Sequence, residues 1–306
     1  MKKPSVSIAI PAYNEETMIE SVLLSLVAQK AKKISLTDIT IYSDNSTDKT
    51  HAIVRSLAKK YPLIKLKAST QRIGKYYRMG QMFAHCTSDA LVVLDADIAI
   101  VQDNFLEKLV EVLVKDPKAT MVAAHQKLIR PKDVMGKILH THFVLWDFVR
   151  WSVLDFQNAN NFYGSATAFR GSFARSIKIP KNLTDPHLYL YLLADKVKGF
   201  RYTMNAVILQ QSISTWSDFE KFLDRPLGKK DEELEKITGV DSETVHLIPW
   251  KYKIKGILRC FLWQPIYTFP ALALVVYMKI RPAKKTYTSS LWKIVKSTKK
   301  PISHEN

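Results

Sequence analysis

Two aspartates end an apolar, strand-like run in an otherwise basic chain. Residues 90–94 form that run, and Asp95 and Asp97 follow it one residue apart. Carboxylates at this spacing can share a hard cation such as Mg²⁺ or Mn²⁺, which takes oxygen ligands and bridges protein carboxylates to substrate phosphates. Such a cation stabilises a departing diphosphate. The alternative interpretation is an ordinary turn, in which aspartate is common.

Two more polar clusters follow predicted strands nearer the start of the chain. The first is PAYNEE, residues 11–16, and the second is SDNSTD, residues 43–48. Strands and amphipathic helices alternate through residues 1–130, and this alternation predicts β-α-β units with a mostly parallel sheet. Ligands of such sheets bind beyond the carboxyl ends of the strands. We therefore expect one cleft to gather all three clusters.

Hydrophobic periodicity sets the bounds of the predicted elements. Strands are predicted at 6–10, 38–42, 63–68, 90–94 and 120–124, and helices at 15–29, 50–60, 75–86 and 105–114. Residues 134–156 are rich in aromatic side chains and are predicted to be helical, whereas 158–172 are predicted as a loop that runs into a strand. Asp185 directly precedes Pro186, a pattern typical of a helix N-terminus.

Composition narrows the class of protein. The chain has 306 residues and only 9 glycines, so it is neither fibrous nor of low complexity. Its two cysteines, Cys86 and Cys260, lie far apart and predict no disulfide framework. The apolar stretch near the start is too short for a signal peptide, because Pro11 and Asn14 end it.

The formal net charge of +18 is concentrated near the end of the sequence. Residues 251–306 contain 12 lysines and arginines and one acidic residue, Glu305. Within this region, the 18 residues 261–278 carry no formal charge. An uncharged run of this length is near the lower limit for a helix that spans a membrane. Gln264 and two prolines interrupt the run, and basic residues flank both sides. The pattern favours a re-entrant or interfacial segment on an anionic membrane surface, with a terminal core helix as the alternative.

The ordered series PAYNEE, SDNSTD, RIGK, LDAD, GSATAFR and TDPHLYL, over roughly residues 4–230, resembles the glycosyltransferase family 2 enzymes. The resemblance implies an α/β, GT-A-type nucleotide-binding fold with a central, mostly parallel sheet. It implies sugar transfer from a UDP- or GDP-linked donor to an acceptor hydroxyl, with inversion and with Mg²⁺ or Mn²⁺ as cofactor. The Gln-x-x-Arg-Trp signature of processive members is absent from residues 216–230, which indicates a non-processive enzyme.

The same resemblance assigns residues to roles. Asp97 is the expected metal ligand with Asp95 as its companion, and Asp185 is the expected general base. His125 is a candidate third ligand, because it ends the strand predicted at 120–124. The expected nucleotide-binding residues are Pro11, Tyr13, Glu15, Asp44, Arg72, Lys75 and Asp95. The residues expected on the sugar and acceptor side are Gly164, Ser165, Arg170 and Arg225.

The sequence thus predicts a catalytic domain (1–230), a linker (231–250) and an apolar and basic, membrane-associated tail (251–306). The tail points to a lipid-linked or cell-envelope glycan acceptor, reached at the cytoplasmic face of the membrane. One alternative is a nucleotidyltransferase acting on a sugar phosphate, but the glycine-rich loop expected after its first strand is absent. The second alternative is a basic nucleic-acid-binding protein, which the clustering of positive charge around an apolar run disfavours. We expect no nucleic-acid partner.

Overall fold

Alternating strands and helices build the sheet that carries the three polar clusters. The computed structural model describes residues 2–153, 156–180, 183, 185–225, 231–281 and 295–302. The strands are β1 (Ser5–Ala12), β2 (Ser35–Ser43), β3 (Ile64–Ala68), β4 (Ala90–Leu94), β5 (Ile98–Ala99), β6 (Met121–Ile129), β7 (Ala166–Arg170) and β8 (Phe200–Gln211). The helices are α1 (Ile19–Val27), α2 (Thr50–Lys60), α3 (Lys75–Ala84), α4 (Phe105–Lys115), α5 (Val134–Arg150), α6 (Gly171–Ser176), α7 (Pro186–Lys196), α8 (Trp216–Leu223), α9 (Glu232–Thr238), α10 (Trp250–Trp263) and α11 (Pro265–Ile280).

The strands form a mixed sheet in the order β3-β2-β1-β4-β7-β6-β8-β5. The first four strands in this order run parallel, as predicted. Strand β7 is antiparallel to both of its neighbours, β6 and β8 are parallel to each other, and β5 is antiparallel to β8. The α/β prediction is therefore confirmed. The sheet is mixed, with six strands in one direction and two reversed strands, β7 and β5, so it is mostly parallel as predicted.

Most predicted elements occur where periodicity is strong, and one long strand was not predicted. Helix α2 and strand β4 match their predicted bounds. Strand β8 has 12 residues, and its register against β6 shifts between Ala124 and His125. That irregularity interrupts the alternation of buried and exposed side chains, which is the signal by which a strand is recognised in sequence.

Both faces of the parallel half are covered by helices, as parallel strands require. On one face, Ile8 and Val92 pack with Leu23 of α1 and Leu109 of α4. On the other face, Val93 and its neighbours pack with side chains of α3 and α7. Burying each such aliphatic side chain contributes about 1.5–3 kcal/mol. The two layers fix the positions at which the strands end, and hence the positions of the polar clusters.

Helices α10 and α11 form a hairpin that packs against α5. Gly256 permits the close approach, since a Cβ there would lie 2.5 Å from Val149 Cγ2. The uncharged run 261–278 is broken at Gln264, where Pro265 begins α11. Among the described residues, no helix has the length and apolar character needed to cross a membrane. Residues 282–294 and 303–306 of the predicted tail lie outside the described ranges.

Candidate active site

A cavity of about 710 Å³ opens beyond the carboxyl ends of β1, β2 and β4. It gathers the three polar clusters, as expected for a sheet of this type. Eleven of the thirteen predicted site residues line it: Pro11, Tyr13, Glu15, Asp44, Arg72, Lys75, Asp95, Asp97, Ser165, Asp185 and Arg225. Gly164 and Arg170 are not among its lining residues.

Asp44, which follows β2, is held by an internal hydrogen-bond network. Its carboxylate accepts from the backbone N–H groups of Ile73, at 2.9 Å, and Gly74, at 2.8 Å. It also pairs with the buried Arg78 guanidinium, whose Nε lies 3.0 Å away. Gly74 has a φ of 97°, a conformation that favours glycine. Asp44, predicted as a nucleotide-binding residue, thus shapes the turn into α3, and its contact with a nucleotide stays a prediction. Sequence analysis did not identify Arg78.

Tyr13 and Arg72 form one side of the cavity. The Arg72 guanidinium carbon lies 3.9 Å from the centroid of the Tyr13 ring. Stacking of this kind orients a planar cation over an aromatic face. The turns after β1 and β2 use the left-handed conformation at Asn14 and Asn45, with φ of 54° and 62°. Asparagine tolerates this conformation. Tyr13 and Arg72 were both predicted in the site, but their stacking was not.

Asp95 and Asp97 project into the cavity after β4. The N–H of Asp95 donates to the Ser165 carbonyl at 2.8 Å, which ties the end of β4 to the start of β7. The Lys75 ammonium lies 2.6 Å from Asp95 Oδ1. Gln210 Nε2 lies 3.3 Å from Asp97 Oδ1. Burial and the neighbouring Asp95 carboxylate raise the pKa of Asp97. Two carboxylates this close favour a shared cation.

This donor set fits Mg²⁺ or Mn²⁺. Both ions take oxygen ligands, and Mg²⁺ sites commonly combine one or two carboxylates with water and substrate phosphate oxygens. Within the described ranges, no three histidine, cysteine or acidic side chains converge as a complete protein cage. The candidate third ligand, His125, is placed elsewhere: its Nδ1 lies 2.6 Å from the Tyr202 hydroxyl, and it does not line the cavity. Asp95 and Asp97 are therefore the protein groups that would hold the ion.

Glu15 and Lys299 form an ion pair that was not predicted. The Lys299 ammonium lies 2.6 Å from Glu15 Oε1 and also donates to the Tyr13 and Asn14 carbonyls. Glu15 Oε2 is buried and accepts no hydrogen bond from the described residues. Burial raises the pKa of Glu15 to about 8, although the Lys299 ammonium lowers it. No local sequence signal links two residues so far apart.

Hydrogen bonds to α7 and to Asp231 position Asp185. Its Oδ1 accepts from the Leu188 N–H at 3.1 Å, so it caps α7 as predicted. Its own N–H donates to Asp231 Oδ2 at 3.0 Å. Asp231 itself caps α9. The segment 231–250, predicted as a linker, therefore contains a helix and supports the candidate base. It also contributes His246 to the cavity wall.

The strand direction of β7 separates two residues that were predicted to act together. Gly164 precedes β7 at the cavity end, and a Cβ on it would lie 2.3 Å from His187 Nε2 of the cavity wall. Arg170 pairs with Ala90 at the opposite end of β4. There its guanidinium donates to backbone carbonyls, including that of Ala119. The prediction of Arg170 on the sugar and acceptor side is therefore not supported, because β7 carries it away from the cavity.

Arginine and aromatic side chains of several elements complete the cavity lining. Arg225 interacts electrostatically with the Asp95 and Asp97 carboxylates, and burial lowers its pKa. Helix α5 contributes the buried pair Asp147 and Arg150, and the Arg150 guanidinium carbon lies 4.1 Å from the Tyr163 ring centroid. Burial lowers the pKa of Arg150 to about 9. Sequence analysis noted the aromatic residues of this helix, but it did not place them in the site.

Comparison with known proteins agrees with this geometry. The model of the family "Glycosyl transferase family 2" matches residues 7–177, more than half of the chain. The chain therefore belongs to glycosyl transferase family 2. This membership favours the glycosyltransferase interpretation over the nucleotidyltransferase and nucleic-acid-binding alternatives.

Two curated relatives share part of the sequence. A dolichyl-phosphate beta-glucosyltransferase of Trichomonas vaginalis is 34% identical over 129 residues, which are 40% of this chain and 38% of the relative. A 4,4'-diaponeurosporenoate glycosyltransferase of Staphylococcus haemolyticus is 31% identical over 108 residues, which are 35% of this chain and 28% of the relative. The matched segments thus span well under half the length of these relatives.

Two solved structures share the fold. One is a mannosyltransferase from Pyrobaculum calidifontis in complex with GDP-Man and Mn²⁺, with a TM-score of 0.54 and 19% identity over 92% of this chain and 77% of that chain. The other is glucosyl-3-phosphoglycerate synthase from Mycobacterium tuberculosis in complex with Mn²⁺ and UDP-Glc, with a TM-score of 0.53 and 15% identity over 78% of this chain and 80% of that chain. These similarities support the GT-A-like, mixed α/β fold.

Proposed function

We propose that the protein is a metal-dependent, inverting glycosyltransferase that transfers a sugar from a UDP- or GDP-linked donor to an acceptor hydroxyl. The observation that carries the proposal is the cavity at the strand ends. It combines Asp95 and Asp97 after β4 with a separately positioned carboxylate, Asp185. Both fold relatives described above were solved with Mn²⁺ and a nucleotide-sugar, which supports the donor class.

The reaction needs a base and a stabilised leaving group. Asp185 takes the proton of the acceptor hydroxyl as its oxygen attacks the anomeric carbon and the bond to the diphosphate oxygen breaks. A divalent cation held by Asp95 and Asp97 supplies charge stabilisation for the departing diphosphate. Lys75 lies 2.6 Å from Asp95, and Arg225 interacts electrostatically with Asp95 and Asp97, so both add positive charge near the leaving group. A single displacement with one base inverts the anomeric centre.

The α10–α11 hairpin supports a membrane-bound acceptor. Its outer surface exposes a stripe of apolar side chains at near-helical spacing: Trp250, Ile254, Leu258, Leu262, Ile266, Phe269, Val276 and Ile280. Leu262 is 87% exposed and Ile266 is 77% exposed. Exposed basic residues, including Lys251, Lys255 and Arg259, flank this stripe. Apolar and basic residues together fit the cytoplasmic face of an anionic membrane, and the hairpin would lie on that face.

The donor class is tested by thermal stabilisation of the full chain with a panel of nucleoside diphosphates, each with and without Mn²⁺. A ligand that binds the native state raises the unfolding midpoint. We expect UDP or GDP to raise it only with metal, and we expect Asp97→Ala to abolish the shift. Val114→Asp, an exposed substitution on α4, is the control. No shift with any nucleotide would contradict the proposal.

Membrane docking is tested by cosedimentation with vesicles of phosphatidylcholine, with or without phosphatidylglycerol. We expect binding to the anionic vesicles, and we expect the double variant Leu258→Asp/Leu262→Asp to weaken it by about tenfold or more, since two apolar anchors are lost. Val114→Asp places one aspartate on an exposed apolar site outside the hairpin and is the control for the added charge. Equal binding by all three proteins would show that the hairpin is not the docking surface.

A further inference from the structure

Residues 295–302, which we call the 295–302 segment, line the cavity beside the end of β1. Val295 is buried among Leu139, Phe219 and their neighbours. The Ser297 N–H donates to Asp218 Oδ2 at 2.7 Å. These contacts anchor the segment through its backbone and an apolar side chain. The segment therefore does not need the Lys299 ammonium to hold it in place.

The Lys299 side chain points from this segment into the carboxylate-rich part of the cavity. Its ammonium donates to the Tyr13 carbonyl at 3.0 Å, to the Asn14 carbonyl at 3.1 Å and to Glu15 Oε1 at 2.6 Å. It also interacts electrostatically with Asp97. Two of its three partners are neutral carbonyls, which a charged acceptor outcompetes, since hydrogen bonds between ionised groups are roughly twice as strong.

The charges of the cavity show what Lys299 can do. The acidic groups on this side of the cavity are Glu15, Asp95 and Asp97. Lys75 is paired with Asp95, and Lys299 is paired with Glu15. A divalent cation held by Asp95 and Asp97 would neutralise carboxylate charge and leave the two lysines facing the same space. A lysine ammonium on a flexible stem can then exchange a carbonyl for a phosphate oxygen with little movement.

We propose that Lys299 is a donor-binding residue, which the 295–302 segment brings to the cavity so that its ammonium contacts the diphosphate of the nucleotide-sugar. This inference rests on the proposed function, because it assumes a nucleoside diphosphate ligand. It adds to the site a residue that lies outside the part of the chain matched by the family model. The neighbouring Lys300 is exposed and provides a matched control.

The test compares Lys299→Met with Lys300→Met in the full chain. Each variant loses one positive charge and keeps most of its stem. Calorimetry measures the Kd for UDP and GDP with Mn²⁺, and ligand-observed NMR measures the Kd for uridine and guanosine. We expect Lys299→Met to raise the diphosphate Kd by about 10- to 100-fold, the range of charge-assisted hydrogen bonds, and to leave the nucleoside Kd unchanged. Lys300→Met should change neither, and Lys299→Arg should recover part of the affinity.

The thermal midpoint without ligand separates a structural role from a binding role. A midpoint of Lys299→Met close to that of the wild type, together with an unchanged diphosphate Kd, would overturn the inference. A midpoint lowered by more than about 5 °C would assign the ammonium to the fold and overturn it as well. Failure of the wild-type protein to bind any nucleoside diphosphate with Mn²⁺ would instead overturn the proposed function.

Discussion

Two aspartates at the ends of nearby strands have opposite surroundings. Asp44, after β2, accepts two backbone hydrogen bonds and pairs with the buried Arg78. Asp97, after β4, lies beside another carboxylate, and this crowding together with burial raises its pKa. The first aspartate is satisfied within the fold, whereas the second accepts a hydrogen bond from Gln210 and would be stabilised further by a bound cation. Similar residues at equivalent strand ends thus divide into one that shapes the cavity and one that we propose to be a metal ligand.

The largest effect should come from Asp97. We expect Asp97→Asn to lower kcat/KM by about a thousandfold, because a bound cation contributes several kcal/mol to the leaving-group charge. The same variant should unfold at an equal or higher temperature than the wild type, since it removes a crowded carboxylate. Transfer assays with a radiolabelled donor and thermal unfolding provide the two measurements. Loss of stability together with activity would remove the distinction between the two aspartates.

Arg78 tests the opposite side of the comparison. We expect Arg78→Met to reduce the free energy of unfolding by about 3–5 kcal/mol, because it leaves the buried Asp44 carboxylate without its ion-pair partner. Urea denaturation measures the change. The double variant Arg78→Met/Asp44→Asn should recover part of the loss, since no uncompensated charge remains. An equal loss in the double variant would show that packing, and not charge, explains the effect.

Asp231 extends the comparison to the candidate base. Its carboxylate accepts the N–H of Asp185, and an asparagine could still accept that bond through its amide oxygen. We expect Asp231→Ala to lower kcat by about tenfold with little change in KM, because Asp185 loses its orientation. Asp231→Asn should retain most of the activity. If both variants lose activity equally, the charge of Asp231 matters more than the position it gives Asp185.

The pH dependence of stability provides the last test. The pKa of Glu15 rises from 4.5 to about 8 in the fold, so the folded state binds its proton more tightly than the unfolded state. The contribution of protonated Glu15 to the free energy of unfolding is fully present below pH 4.5 and is lost as the pH rises through 8. We expect the stability of Glu15→Gln relative to the wild type to increase over this interval, as measured by urea denaturation at several pH values. A difference independent of pH would contradict the raised pKa.

The parallel half of the fold could be predicted because its signals are local. The helix at 50–60 shows clear periodicity, the strand at 90–94 is a continuous apolar run, and the polar clusters follow their strands directly. Since parallel strands end at one edge, the convergence of Asp44 and Asp97 followed from topology alone. The direction of β7 could not be inferred in the same way. Arg170 was consequently assigned to the cavity, although it lies at the opposite end of the strand.

The residues that sequence analysis did not identify depend on distant partners. Arg78 reads as an ordinary basic position of a helix until Asp44 is placed beside it. Asp231 begins an acidic, helix-forming stretch that resembled a linker, and nothing in its neighbourhood points to Asp185. Lys299 belongs to a basic run whose composition suggests a membrane or nucleic-acid partner. In each case the role is set by a contact across the fold, which composition and spacing do not encode.

The contact between Lys299 and the end of β1 also has a consequence for biosynthesis. Glu15 and Lys299 are separated by 284 positions in the chain, so the ribosome makes one long before the other. At ordinary elongation rates this delay is roughly 15–60 s. The α10–α11 hairpin emerges within that interval. With the hairpin docking on the membrane and Lys299 binding the donor, as proposed above, a nascent chain meets the membrane before its donor site is complete. High-affinity donor binding would then follow arrival at the membrane.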